Sequence, residues 1–184
     1  MNAAAKFWHG SAASSQTSNS YMTQTTRRDI TANEAQTIIK EAATWKGTAY
    51  ALRGAASVKG VAGDCSGTTF LIYRAAGFPY DYQPSGTFPL YAQRSGLFRL
   101  LTAEESAQAG DVLLWPHHMA IYAGSALQKE DATTQRTNAS GRSWTQQNDI
   151  YTATHPNGAA YMPASLRYWR PDPPKIYRYQ TSAP

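Results

Sequence analysis

The chain has 184 residues, an apolar share of 42% and twelve tyrosines. That suits one domain with a proper core and excludes two full-sized domains or a disordered chain. Its formal charge of +5 comes from scattered Lys and Arg, without the dense run or helical stripe that marks a nucleic-acid groove, so it argues for solubility and against a nucleic-acid partner. A single cysteine excludes an internal disulfide.

Residues 1 to about 28 are rich in Ala, Ser, Thr, Asn and Gln and read as a polar arm ahead of one domain spanning 29–184. They hold no apolar core of signal-peptide length, and no run in the chain approaches a membrane span. Thr31 and Glu34 have capping-box spacing. Ala35, Ile38, Ile39, Ala42 and Trp45 follow at helical spacing, which predicts an amphipathic helix to about Lys46, ended by Gly47. After Thr48 to Gly54, a small-residue loop from Ala55 to Gly63 delivers the chain to the lone cysteine. Gly63 to Arg74 reads as a helix beginning at Cys65, with Gly77 as its stop. Phe78 to Gly96 carries Pro79, Pro84 and Pro89 among aromatics and predicts a loop or broken helix along a cleft.

Gly110-Asp111 reads as a turn before the strand Val112 to Trp115. Pro116 breaks that run, and His118 to Ala123 forms a second strand ending at Gly124; the short connection predicts an antiparallel hairpin. Ser125 to Asp149 is polar with little periodicity, a long surface insertion. Ile150 to His155 resumes a strand, and Pro156-Asn157-Gly158 turns it. Tyr161 to Trp169 reads as irregular, and Lys175 to Tyr179 as a last strand. Helices first and strands afterwards predict an α+β domain on an antiparallel sheet.

A thiol at a helix N-terminus sits among unpaired N–H groups and the positive end of the helix dipole, which favour thiolate. A lone cysteine also suits the role of a small buried hydrophobe. Four histidines are present, His9, His117, His118 and His155. One thiol, one imidazole at a strand start and a third polar group to orient the ring are the minimum for cysteine nucleophile chemistry. Strand alternation puts Met119 and Ile121 on one face and His118, Ala120 and Tyr122 on the other, with His117 on the parity of Met119. A metal site lacks paired Cys-x-x-Cys or His-x-x-x-His spacing, and a serine nucleophile lacks a Gly-x-Ser-x-Gly elbow.

Gly47-Thr48-Ala49-Tyr50 with Gly54, then Asp64-Cys65-Ser66-Gly67, Gly110-Asp111-Val112 and His118-Met119-Ala120-Ile121-Tyr122-Ala123-Gly124 stand in an order that resembles the NlpC-type, papain-like cysteine peptidases of bacterial cell walls. The resemblance runs from about residue 34 to 179. It implies a papain-like α+β fold with the cysteine at a helix N-terminus packed on an antiparallel sheet. It implies Cys65 as nucleophile and His118 as general base and acid. A third polar residue is implied on the strand Ile150 to His155, with His155 the candidate, although the 125–149 insertion delays that strand. Tyr50, Asp64 and Ser66 are the implied substrate-side neighbours; Tyr50 equally suits a core aromatic, and Asp64 and Ser66 shape more than they react. The implied reaction is hydrolysis of an amide in a peptidoglycan stem peptide, between γ-linked D-glutamate and a diamino acid, with no cofactor and no metal. The expected setting is an antibacterial effector made in the cytoplasm, delivered by a contact-dependent (type VI) secretion system to the wall of a target bacterium. That setting implies an immunity protein and a secretion carrier as partners. A phage lysis enzyme, a lipid acyltransferase or deacylase using the same Cys and His, and a silent wall-binding module are the alternatives.

Overall fold

The computed structural model describes residues 26–155, 160–169 and 171–183; His9, the turn at 156–158 and residues 1–25 of the arm lie outside them. Strand β1 (Arg27–Asp29) precedes helix α1 (Ala32–Ala43). Thr31 caps α1: its hydroxyl accepts from the Glu34 amide at 3.2 Å, while Glu34 Oε2 accepts from the Thr31 amide at 2.7 Å. This is the reciprocal capping box that the spacing predicts. Ala35, Ile38, Ile39 and Ala42 are the buried stripe. The helix ends slightly before the expected limit, through turns at Thr44 to Gly47.

Two short parallel strands, β2 (Ala49–Tyr50) and β3 (Ala62–Gly63), bracket the small-residue loop. Helix α2 (Cys65–Ala75) follows. The proline-rich segment holds a helix, α3 (Phe88–Ser95). Pro89 is tolerated in its first turn, where an N–H would have no partner, and Gly96 (φ 63°) stops it in a left-handed conformation. Then come β4 (Phe98–Leu100), β5 (Val112–Trp115), β6 (His118–Tyr122), β7 (Thr133–Thr137), β8 (Ser143–Gln147), β9 (Ile150–Thr152), β10 (Met162–Ala164), α4 (Leu166–Trp169) and β11 (Lys175–Ser182).

The main sheet is antiparallel throughout and runs β1-β11-β5-β6-β9-β10, with β4 also on β11. The mixed helical and antiparallel architecture is therefore as expected, and three segments differ locally. Strand β1 pairs with β11 across Arg27↔Ser182, so the sheet begins within the last residues assigned to the arm. The 161–169 segment forms edge strand β10 and a short helix, because an edge position tolerates Pro163. The 125–149 insertion contains the hairpin β7–β8. Its Thr, Gln and Arg residues are largely exposed, so no apolar alternation announces the strands. Its base is held by buried Asp131, which pairs with Lys46 and accepts from Tyr151 Oη at 2.5 Å.

The sheet has two buried faces. Met119, Ile121, Tyr151, Val112 and Leu114 pack with α1, α2 and an aromatic group of Tyr73, Tyr80, Phe88, Phe98 and Tyr179. Leu113, Trp115, Ala120, Ile150 and Ala164 form a second cluster on the opposite face. Gly110 lies against α1; a Cβ there would meet Ile30 at 3.0 Å and Ala35 at 3.2 Å. Asp111 is fully buried and receives the Arg178 fork at 2.9 and 2.8 Å, tying the start of β5 to β11. Burial pushes that carboxyl up, and the Arg178 fork pulls against it. The Gly110-Asp111 pair is thus a strut and not part of the cleft.

Candidate active site

Helix α2 starts where Asp64 caps it, with extended backbone (φ −111°, ψ 176°) and Oδ1 accepting from the Gly67 amide at 2.8 Å. The same carboxylate accepts from Ser66 Oγ at 2.8 Å and from the amides of Arg53 and Gly54 at 2.7 and 2.5 Å. Burial alone would raise the Asp64 carboxyl, but these bonds outweigh it and hold it below its usual range. With its acceptors used by four donors, Asp64 shapes the site and is not available to substrate. Gly67 permits the close fit: a Cβ there would stand 2.0 Å from the Gly54 carbonyl oxygen and 2.2 Å from Ser57 Oγ. The first turn of α2 therefore lies directly on the 54–57 turn.

Cys65 is the first residue of α2 and is 7% exposed. Burial pushes its thiol up; the amide of Met119 on β6 opposes this, the nearby Asp64 charge adds to it, and the amides of Ser66 and Cys65 itself also oppose it. The outcome is a raised thiol, opposite to what a helix N-terminus alone leads one to expect. Desolvation of a charged sulfur outweighs the orphan amides here. The Met119 amide sets the sulfur beside the first peptide of β6, immediately after His118.

His118 is buried, and its Nε2 lies 2.6 Å from Thr152 Oγ1 on β9. Thr152 Oγ1 donates to the Met119 carbonyl at 3.4 Å. A hydroxyl has one proton, so a Thr152 that donates to Met119 accepts from an Nε2–H, the tautomer that carries its ring proton on the Thr152 side. Thr152 shares the alternation of Ile150 in the second cluster, whereas Cys65 lies with Met119 in the main core. The sulfur and the imidazole are thus both placed by the start of β6, the sulfur at the Met119 amide and the ring at Thr152.

The position on β9 that faces the His118 ring belongs to Thr152. It stands three residues before His155, the residue that the resemblance implies for this role. His155 is exposed, with its ring 5.8 Å from that of Tyr50. Tyr50 is half-buried at the cleft edge; burial, followed by the charges of Cys65 and Asp64, raises its hydroxyl, which stays protonated. Ser66 Oγ is 3.2 Å from Tyr82 Oη, and Tyr82 also covers Gly54. Around Cys65, Tyr50, Leu52, Ser66, Tyr82, Pro84 and His117 bound a cleft of about 330 Å³. Ser85 and His117 are shared with an adjoining groove of about 510 Å³ that runs along Trp115 and Pro173.

Sequence reasoning did not place Tyr82 or His117 at this cleft, nor Thr152 against the His118 ring. A hydroxyl two residues into a strand carries no signal of its own, and Tyr82 is one aromatic among many. His117 was the nearest to legible, since its parity already separated it from His118. Among the described residues, no group of three or more His, Cys, Asp and Glu is arranged to hold a metal ion, and no helix is long and apolar enough to cross a membrane.

No protein-family model and no curated protein matches this sequence. A solved structure that does match is a lipoprotein-like protein of the NLP/P60 family from Staphylococcus aureus. It is 24% identical with a TM-score of 0.49, over 86% of this chain and 45% of that one. The chain thus spans less than half the length of that protein. At this score the likeness says nothing of the site, which rests on its own geometry.

Proposed function

We propose that this chain is a papain-like thiol hydrolase acting on an amide bond of peptidoglycan stem peptides, between γ-linked D-glutamate and a diamino acid. One observation carries the chemistry: Cys65 opens a helix against the Met119 amide, one residue from a His118 ring engaged by Thr152. The substrate class is what the resemblance of the Asp-Cys-Ser-Gly, Gly-Asp and His-Met-Ala-Ile-Tyr-Ala-Gly segments to NlpC-type cell-wall peptidases implies.

In this reading Cys65 Sγ attacks the amide carbonyl while His118 takes the thiol proton. The tetrahedral adduct collapses to a thioester as His118 hands that proton to the leaving amine. Water, deprotonated by the same imidazole, then splits the thioester to a carboxylic acid and the free thiol. Burial keeps the resting sulfur protonated, so proton removal accompanies attack. Thr152 takes the orienting role first expected of His155. His155 instead steadies the ring of Tyr50, whose protonated hydroxyl is the donor at the cleft edge. Asp64 and Ser66 hold the first turn of α2 in place.

The test is digestion of purified peptidoglycan by the parent, Cys65→Ala and His118→Ala proteins, with mass analysis of released peptides. The expected result is a new amino terminus on the diamino acid, produced by the parent alone. Equal release by Cys65→Ala, or none by the parent, sinks the reading; turnover of a lipid acyl ester in its place moves it to an acyltransferase or deacylase. Delivery to a target-cell wall, with a neutralising immunity protein and a secretion carrier, belongs to the same proposal. Export to the bacterial periplasm should then lyse cells in a Cys65-dependent way. A silent binding module is the second reading, favoured by the low exposure of Cys65. It predicts a thiol inert to alkylating reagents.

A further inference from the structure

The connection from β5 to β6 is two residues long, Pro116 and His117, between the paired Trp115 and His118. His117 has φ 60°, the only positive φ at a non-glycine residue among the described residues. The second central position of a turn with a leading proline calls for Gly or Asn when φ is positive. A histidine there is held in a disfavoured conformation, and such outliers concentrate at functional sites. Packing does not account for it, because His117 is exposed. It lines both the Cys65 cleft and the adjoining groove.

The charge inventory of the cleft narrows the role. Asp64 is spent on four hydrogen bonds, Cys65 is a raised thiol, and Tyr50 and Tyr82 are phenols. Among the described residues that line the cleft, His117 is the one basic side chain; beyond the lining stand His118, the proposed base, and Lys175 of the adjoining groove.

We infer that His117 is a substrate-positioning residue whose imidazole donates a hydrogen bond to a carboxylate on the substrate, where the substrate passes from the Cys65 cleft into the groove. The identity of that substrate rests on the function proposed above; the anion preference of the cleft does not.

The test compares Cys65 alkylation by iodoacetate and iodoacetamide in the parent, His117→Gly and His117→Asn, the last two chosen because both residues accept the positive φ. The iodoacetate rate should fall about threefold or more in both variants, as for an exposed charge contact, while iodoacetamide changes little. On peptidoglycan, His117→Gly should raise KM with kcat nearly kept, and it should melt at or above the parent's temperature. Equal effects on the two reagents, or none, would reduce His117 to a turn residue and overturn the inference. A parent that leaves peptidoglycan intact but shows the reagent difference refutes the proposed function and leaves this inference standing.

Discussion

Replacing Gly67 by alanine tests the placement of the candidate nucleophile most directly. The new Cβ would stand 2.0 Å from the Gly54 carbonyl oxygen and 2.2 Å from Ser57 Oγ. Contacts below about 3 Å are not sustained by carbon, so α2 and the 54–57 turn must part by about 1 Å. Alanine gains about 1 kcal/mol of helix propensity over glycine, and overpacking costs about 1–3 kcal/mol or more. Here backbone is on one side of the clash and cannot rotate away, so the upper end of that range applies. A net loss of about 2 kcal/mol lowers the melting temperature of a domain this size by about 4–8 °C. The activity penalty should be larger, because a shift of about 1 Å at the start of α2 moves the sulfur from the Met119 amide, and misplacement of that size costs about 100-fold. Thermal melting and peptide release, measured on the same preparation, give the two numbers. An alanine variant that melts with the parent and hydrolyses at the parental rate would refute the account of how Cys65 is positioned.

Thr152→Val keeps the shape and removes the hydroxyl beside His118 Nε2; kcat should fall about tenfold, as for loss of one hydrogen bond, with Thr152→Asn recovering part of it, and an unchanged kcat would remove Thr152 from the mechanism. Asp111→Asn breaks the buried pair with Arg178 and should cost about 3 kcal/mol by denaturant unfolding, leaving the Cys65 alkylation rate of the folded protein unaltered. Asp29 and Glu105, hydrogen-bonded to Arg99, and Glu34, hydrogen-bonded to Arg28, are each held at about 2. Depressed carboxyls contribute stability above their unfolded values and lose it as pH falls toward the folded ones. Melting temperature should therefore drop between about pH 4.5 and 2, and Arg99→Ala should shrink that drop; an acid limb unaffected by Arg99→Ala would show that the cluster contributes nothing.

Periodicity and capping are local properties, and where they operate the chain is legible. The Thr31–Glu34 box, the Ala35-Ile38-Ile39-Ala42 stripe, the helix opening at Cys65 and the Trp115–His118 hairpin all follow from neighbours in sequence. The β7–β8 hairpin was missed for the same reason in reverse, since strands exposed on both faces have no apolar alternation to betray them. The amino-acid order by itself determined the α+β class and singled out Cys65 and His118 as the candidate pair. Tertiary structure alone decided that Thr152 meets the imidazole, that His155 goes to Tyr50, and that Asp64 is consumed as a cap. It alone set the burial that raises the Cys65 thiol against its helix N-terminus. Those outcomes depend on strand register and on desolvation, which arise only when segments far apart in the chain are packed together.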